Sequence, residues 1–273
     1  MTDKPPSPQG IPPDPWSDLR AHTQARLALG RAGAALPTAE LLRFGLAHAQ
    51  ARDAVHIPLD AEALAAQIQA LGCATRQVHS AAPDRATYLL RPDLGRQLCD
   101  ADAEALQAVS AESRGPIDLL LVVADGLSSL AVARQAPPLI EAIRQQAPAG
   151  WHIGPVVIAR QARVALGDAV GALLGARLVA VLIGERPGLS SPDSLGIYLT
   201  WQPQLGRTDA ERNCISNVRP EGLPPPRAAA RLWWLCQEAL RLGLTGVALK
   251  DRSEGLTLAA EKDTALPSSN RSD

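Results

Sequence analysis

The sequence predicts an α/β protein with a Rossmann-like, mostly parallel sheet and a helical N-terminal subdomain. Three runs, at residues 119–124, 156–159 and 178–183, are aliphatic along their whole length instead of alternating with polar residues. Helical patterns separate these runs, whereas residues 14–112 read mostly as short helices. Strands that are apolar on both faces and alternate with helices are typical of a parallel sheet covered on both sides.

The N-terminal part is expected to begin as a disordered segment, because residues 1–13 are rich in proline and polar side chains. Asp14 can cap a first helix that has Pro15 in its first turn and Gly30 at its end. Thr38 can cap a second helix that runs to about residue 55. Its apolar residues fall near one stripe: Leu41, Leu42, Gly45, Leu46 and Ala49. Further helices are predicted from Asp60 to Gly72 and over 101–112.

The C-terminal part is predicted to be one Rossmann-like domain over residues 115–251, followed by a loose tail at 252–273. Asp125 and Gly126 end the first strand, and Ser128 or Ser129 can begin the helix after it. A fourth strand is expected at 196–201, a helix at 224–243 and a last short strand at 246–251.

Composition excludes several classes of protein. The chain has 273 residues, a formal net charge of −1 and only 3% aromatic residues, which argues against a nucleic-acid or anionic membrane surface as partner. It has no apolar run of membrane-spanning length and no signal-peptide pattern, so a cytoplasmic location is expected. None of the four cysteines forms a CxxC pair, so a structural zinc site or a disulfide framework is not expected.

Three polar segments leave the predicted strands at the same edge of the sheet: "ADGLSS", "RQARVALGD" and "GERPGLSS". In open α/β sheets the ligand crevice lies beyond the carboxyl ends of the strands. Glu185 and Arg186 therefore lie where a ligand is expected, and the Pro187-Gly188 break after them favours a rigid site. A solvated Glu-Arg pair of little energetic value is the alternative that the residues leave open.

No self-contained catalytic set is found. The motifs GxGxxG and HExxH, the Walker loop and the nucleophile elbow are all absent. Cys214 has no histidine after it in the chain to act as a base, so a small residue tucked under a polar loop is the preferred interpretation. His48, Arg52 and His56 share one helical face, where a stripe facing a partner is favoured over a metal site. We therefore predict no catalytic residue and no metal ligand in this chain.

The sequence resembles the light chain, or small subunit, of ethanolamine ammonia-lyase. The N-terminal segments that carry the resemblance are "PWSDLRAHTQARLALGRAGAALPT" and "LLRFGLAHAQARDAVH". The C-terminal ones are "LLLVVADGLSS", "QARVALGDAVG", "LIGERPGLSSPDSLGIYLTW" and "GRTDAERNCISNVRPEGL". Together they cover about residues 14–250.

The resemblance implies an adenosylcobalamin-dependent lyase that converts ethanolamine to acetaldehyde and ammonia by radical elimination. It implies a hetero-oligomer, active only with a barrel-type large subunit that carries most of the substrate site. Some members of the family lie inside a bacterial microcompartment. The family's cofactor contacts match Val164, Glu185 and Cys214, which makes 115–251 a cobalamin-binding domain, with Arg163 and Arg186 expected nearby.

Two other functions remain open at this stage. The chain could be a stand-alone α/β domain that binds a nucleotide or another cofactor, with "GERPG" as an anion-binding nest. It could also be a structural assembly subunit that touches no cofactor.

Overall fold

The structure is a computed structural model that describes residue 14 and residues 16–23, 25–112 and 115–253, without the side chains of 109–112. The predicted disordered segment 1–13 and the tail from residue 254 onward lie outside these residues. The strands are β1 (Thr75–His79), β2 (Ile117–Ala124), β3 (Val156–Arg160), β4 (Ala176–Gly184), β5 (Leu195–Trp201) and β6 (Asn213–Val218). The helices are α1 (Thr38–His56), α2 (Ala61–Ala70), α3 (Arg85–Leu90), α4 (Asp100–Glu112), α5 (Ser129–Gln145), α6 (Leu166–Leu173) and α7 (Pro225–Leu242).

The strands form one six-stranded sheet in the order β1-β3-β2-β4-β5-β6. The pairs β1–β3, β3–β2 and β2–β4 are parallel, and β4–β5 and β5–β6 are antiparallel. The predicted α/β class with a mostly parallel sheet is confirmed, and the three aliphatic runs are its three central parallel strands. The Rossmann-like detail stays a prediction, because the antiparallel pair β5–β6 completes one side of the sheet.

Two strands were missed by the sequence analysis. Strand β1 lies inside the range predicted as helical, and strand β6 lies in a segment interpreted as a polar loop. Their sequences, TRQVH and NCISNV, are mixed in polarity because each strand lies at an edge of the sheet. Since β1 pairs with β3 along its whole length, the N-terminal region contributes directly to the sheet. The division into domains at 14–112 and 115–251 stays a prediction.

The core lies on both faces of the sheet, as fully apolar strands require. Along β2, Leu119 and Leu121 belong to a cluster with residues of α2, α5 and α7, whereas Leu120 and Val122 belong to a second cluster with residues of α4 and α6. Burying a Leu or Val side chain contributes about 1.5–3 kcal/mol. This two-sided burial holds the ends of β2, β3 and β4 at fixed positions.

Several helix ends agree with the prediction. The Asp60 side chain accepts a hydrogen bond from the Ala63 N–H, and Ser128 accepts one from the Ala131 N–H. Gly243 ends α7 in the left-handed conformation, as expected of a glycine after a helix. Of the two adjacent tryptophans of α7, Trp233 lies in the core and its Nε1–H donates to the Ile143 carbonyl at 2.8 Å.

Other local predictions were wrong. In the described part of the segment from Asp14 to Gly30, a 3₁₀ helix, Ser17–Ala21, replaces the predicted helix, because the Asp14 carboxylate accepts hydrogen bonds from the N–H groups of Trp16 and Gly30 instead of capping a helix. Thr38 is the first residue of α1 and not its cap, since the chain enters the helix through Pro37. The predicted apolar stripe of α1 is present, and it lies on an exposed face of the helix.

The last strand predicted from the sequence does not form. Residues Gly246–Ala248 form a 3₁₀ helix in place of the predicted last strand, because Gly246 has a φ of +87°, outside the strand region. Within the described ranges, no helix has both the length and the apolar character needed to cross a lipid bilayer.

Candidate functional site

A cavity of about 460 Å³ lies at the carboxyl ends of β2, β3 and β4. The three polar segments singled out in the sequence all contribute to its wall, through Leu127, Val164 and Glu185 among others. Another cavity, of about 640 Å³, lies at the opposite end of the strands, where β1 and β3 begin. We take the cavity at the carboxyl ends as the candidate site, because that is where open α/β sheets bind ligands.

Two glycines bring the tips of β2 and β4 together beneath this cavity. A Cβ atom added to Gly184 would lie 2.1 Å from the carbonyl oxygen of Ser128, and one added to Gly126 would lie 2.4 Å from that of Gly184. Gly126 also has a φ of +56°, and the N–H of Leu127 donates to the Gly184 carbonyl at 2.9 Å. The two strand ends are therefore in backbone contact, which any side chain at either glycine would disturb.

Glu185 is a fixed, half-buried carboxylate in the wall of the cavity. Its Oε2 accepts hydrogen bonds from the Ser194 hydroxyl at 2.5 Å and from the Asn217 N–H at 3.3 Å. Gly196 leaves space for the side chain, since a Cβ there would lie 3.0 Å from Oε1. Oε1 accepts no hydrogen bond from the part of the chain that the structure describes. The carboxylate is thus held by one oxygen and can accept hydrogen bonds from a ligand with the other.

The loop after Glu185 is closed on itself, as the Pro187-Gly188 break predicts. The backbones of Gly188 and Ser191 exchange two hydrogen bonds, of 3.1 and 3.2 Å. Arg186 is exposed, and no ion pair joins it to Glu185 among the described residues. This geometry favours the rigid site over the solvated Glu-Arg pair.

Val164 and Arg163 form the wall that follows β3. Val164 is half-buried and packs on the core cluster of α4 and α6 while lining the cavity. The backbone N–H of Arg163 donates to the Gly95 carbonyl at 2.8 Å. The Arg163 guanidinium lies over the ring of Tyr88, 4.5 Å from its centroid. Its buried Nε has no hydrogen-bond partner in the described part of the chain.

The sequence analysis missed the residues that support this wall. Tyr88 is fully buried, its hydroxyl donates to the Ala162 carbonyl at 3.1 Å, and burial raises the pKa of that hydroxyl. Asp125 accepts hydrogen bonds from the N–H groups of Gln161 and Ala162, both at 2.9 Å, and lies 3.4 Å from the Arg85 guanidinium. Burial raises the pKa of Asp125, and Arg85 together with the backbone N–H groups opposes that rise.

Asp125 also holds the tip of β3 in an unusual conformation. Gln161 has a φ of +53°, which is uncommon for a residue other than glycine. Of the residues that support this wall, only Asp125, in the "ADG" turn, was noticeable in the sequence. Arg85 and Tyr88 lie in the segment between β1 and α4, and their contacts depend on how that segment folds over the sheet.

Cys214 lies beside the cavity rather than in its wall. It is exposed on β6, directly opposite Tyr198 of β5, whose side chain lines the cavity. Directly opposed residues of antiparallel strands lie on the same face of the sheet, so Cys214 continues the surface of Tyr198. Interpreting it as a small residue tucked under a polar loop was wrong, because the segment is an edge strand with this side chain turned outward. The pKa of Tyr198 is raised, chiefly by burial and also by neighbours that include Cys214 and Glu185.

The match to known proteins decides the family. A family model described as "Ethanolamine ammonia-lyase light chain" matches residues 13–250. This chain belongs to that family. The resemblance noted in the sequence is thereby confirmed over nearly the whole described chain.

Curated relatives agree with the family match. The chain is 53% identical over 258 residues to the ethanolamine ammonia-lyase small subunit of Pseudomonas fluorescens (strain Pf0-1), with 94% of each protein covered. It is 55% identical over 261 residues to that of Ralstonia nicotianae (strain ATCC BAA-1114 / GMI1000), covering 95% of this chain and 97% of the relative. The similarity therefore extends over essentially full-length small subunits.

The strand that carries Cys214 is anchored by a buried ion pair. Arg212 lies 2.8 Å from Asp168 at the start of α6, and their side chains are only 1% and 2% exposed. Arg212 also donates to the Thr200 hydroxyl at 3.1 Å and to the Arg207 carbonyl at 2.8 Å. Burial raises the pKa of Asp168, against the effect of Arg212. Arg212, one of many polar residues noted in this segment, is therefore a structural residue.

The polar turn before β6 contains a second ordered carboxylate. The Glu211 side chain accepts hydrogen bonds from the Thr208 N–H and hydroxyl and from Arg207, which lowers its pKa to about 2. The histidines of α1, His48 and His56, are exposed. Among the described residues, no group of three or more His, Cys, Asp or Glu side chains is placed to hold a metal ion.

Proposed function

We propose that this chain is the small subunit of an adenosylcobalamin-dependent ethanolamine ammonia-lyase, a lyase that converts ethanolamine to acetaldehyde and ammonia. In this proposal it holds one side of the cofactor against a barrel-type large subunit. The relatives' names support a subunit role, because they are small subunits matched over 94% or more of their length. The observation that carries the proposal is that Val164 and Glu185, from two different strand ends, line one cavity.

The residues at this cavity fit the chemistry of a corrin ring. Such a ring is apolar at its face and carries amide side chains, which donate and accept hydrogen bonds. The cavity offers an apolar contact at Val164 and an acceptor at Glu185 Oε1. At about 460 Å³ it can receive only an edge of so large a cofactor, which supports a second polypeptide for the rest.

Each of the three predicted contacts has a separate task. Glu185 accepts hydrogen bonds from amide N–H groups, and a hydrogen bond to a charged acceptor contributes about 1.5–3 kcal/mol. Val164 excludes water from an apolar edge. Cys214, beside Tyr198, supplies a small side chain that lets the ring approach, and no thiolate chemistry is required of it.

The reaction itself needs the radical chemistry that adenosylcobalamin supplies when bound, which no side chain can replace. This chain's own residues bind and orient the cofactor and exclude water from it. We assign no catalytic residue to this chain, and we place most of the ethanolamine site in the large subunit.

The proposal is tested by reconstitution. The purified chain, a large subunit of ethanolamine ammonia-lyase, and the two mixed are each incubated with adenosylcobalamin and ethanolamine, and acetaldehyde is measured. We expect turnover from the mixture alone. Turnover by the small subunit alone, or equal turnover by the large subunit alone, would contradict the proposed division of labour. A purely structural role would leave cobalamin affinity unchanged when the cavity residues are substituted.

A further inference from the structure

Helix α1 is attached to the rest of the chain by very little apolar surface. It has 19 residues, of which only Ala47 and Ala54 are buried. Leu41, Leu42 and Leu46, three residues of its predicted apolar stripe, are 60%, 68% and 60% exposed. Most helical stability in proteins comes from packing of such a stripe against another surface. The periodic stripe is present, but the described residues of this chain do not cover it.

The same is true of the segment before α1. We define the N-terminal arm as the described residues from 16 to 57. Large apolar residues are exposed in it at Trp16, Leu19, Leu27, Leu36, Leu41, Leu42, Phe44, Leu46 and Ile57. With about 200 Å² for each fully exposed side chain, their exposed area is roughly 1,000 Å². One side of a standard protein–protein interface buries about 800 Å², so the arm carries enough apolar surface for a stable interface.

The arm is anchored at the carboxyl ends of the strands, where the candidate site also lies. Near the end of α1, the Val55 carbonyl accepts a hydrogen bond from Arg85 Nε at 2.8 Å, and the Ile57 carbonyl accepts one from the Ser129 hydroxyl at 2.5 Å. Arg85 also donates to the carbonyl of Gly126, which lines the cavity. A second polypeptide that closes the cavity would therefore lie close to the point where the arm is attached.

We propose that the N-terminal arm is a docking surface for the large subunit, with an apolar groove on that subunit receiving the stripe of Leu41, Leu42 and Leu46. This inference rests on the proposed function, which supplies the partner. The chain's own first 13 residues are a poor alternative cover, because their only non-proline apolar residues are Met1 and Ile11. Two other occupants remain, a second copy of this chain and the chain's own residues 254–273, which include Leu256, Leu258 and Leu266. The experiment separates both from the large subunit, because only docking on the large subunit predicts that the arm variant binds that subunit more weakly.

The test is subunit association measured without cobalamin. The double variant Leu41→Glu, Leu42→Glu places two charges on the stripe, and glutamate is a good helix former, so α1 is retained. The control Leu242→Glu, Val247→Glu adds the same charges at two exposed apolar residues of other elements. We expect the arm variant to bind the large subunit at least tenfold more weakly than wild type, and the control to bind normally. The milder Leu41→Ala, Leu42→Ala should fall between them.

Two results would overturn the inference. One is a properly folded arm variant, with unchanged circular dichroism and melting temperature, that binds the large subunit as wild type does. The other is loss of self-association of the small subunit with no loss of large-subunit binding, which would assign the arm to a second copy of this chain. Because the assay contains no cofactor, neither result depends on whether Val164 and Glu185 bind cobalamin.

Discussion

Replacing Asp168 with alanine should destabilise the chain more than any comparable change of a surface ion pair. The substitution leaves the Arg212 guanidinium, at 1% exposure, without its buried counter-ion, and only the exposed Asp209 carboxylate remains, 3.4 Å from Arg212 Nε. Breaking a buried pair in this way costs about 3–5 kcal/mol. Arg212 keeps its hydrogen bonds to Thr200 and to the Arg207 carbonyl, so we expect the lower end of that range, about 3 kcal/mol. For a chain of this size each kcal/mol lowers the melting temperature by about 2–4 °C, which gives a decrease of about 6–12 °C.

The assay is thermal and urea unfolding of the purified chain. Arg177→Ala is the matched control, because Arg177 pairs with Asp118 at the same 2.8 Å distance while its own side chain is exposed, and surface pairs contribute about 0–1 kcal/mol. Replacing both Asp168 and Arg212 with apolar residues of similar volume should recover much of the loss, since no charge then remains buried. An Asp168→Ala protein within 1 kcal/mol of wild type would refute this account of how β6 is anchored.

Three further predictions concern the strand tips, a carboxylate and the thiols. Gly184→Ala should cost about 1–3 kcal/mol and distort the cavity, whereas Gly45→Ala, with open space around its Cβ on α1, should be neutral or stabilising by up to about 1 kcal/mol; urea unfolding compares them. The pKa of Glu211 falls from 4.5 to about 2 on folding, so its contribution to stability is present above pH 4.5 and is lost as the pH falls towards 2. The difference in melting temperature between wild type and Glu211→Gln should therefore shrink below pH 4.5, and an unchanged difference down to pH 3 would contradict the lowered pKa. Alkylation followed by mass spectrometry should modify exposed Cys214 first and buried Cys236 last, and cobalamin with the large subunit should protect Cys214; no protection would argue against its proposed contact.

The sequence was informative wherever burial leaves a periodic trace. Strands β2, β3 and β4 were recognised because both faces of each strand are buried and every position is apolar. Strands β1 and β6 were missed because an edge strand has a solvated side, and its sequence then resembles a loop.

The candidate site was predictable only in part. Val164 and Glu185 could be placed because a parallel sheet brings its strand ends to one edge, and the family resemblance named the same positions. The supporting contacts of Arg85 and Tyr88 could not be predicted, because they join the short helix α3 to residues more than 35 positions away in the sequence. The stripe of α1 was recognised as apolar, but periodicity alone does not tell whether the covering surface belongs to the same chain.

The most direct test of the central claim is cobalamin affinity of the assembled subunits, measured by titration of the absorption spectrum. Glu185→Ala removes the carboxylate from the cavity wall, and Glu141→Ala removes one from the exposed surface of α5 as a control. Loss of hydrogen bonds to a charged group, worth about 1.5–3 kcal/mol, corresponds to roughly 10- to 100-fold weaker binding for Glu185→Ala, with no change for Glu141→Ala. Equal affinity of the Glu185→Ala complex and the wild-type complex would contradict the claim that these strand ends hold the cofactor.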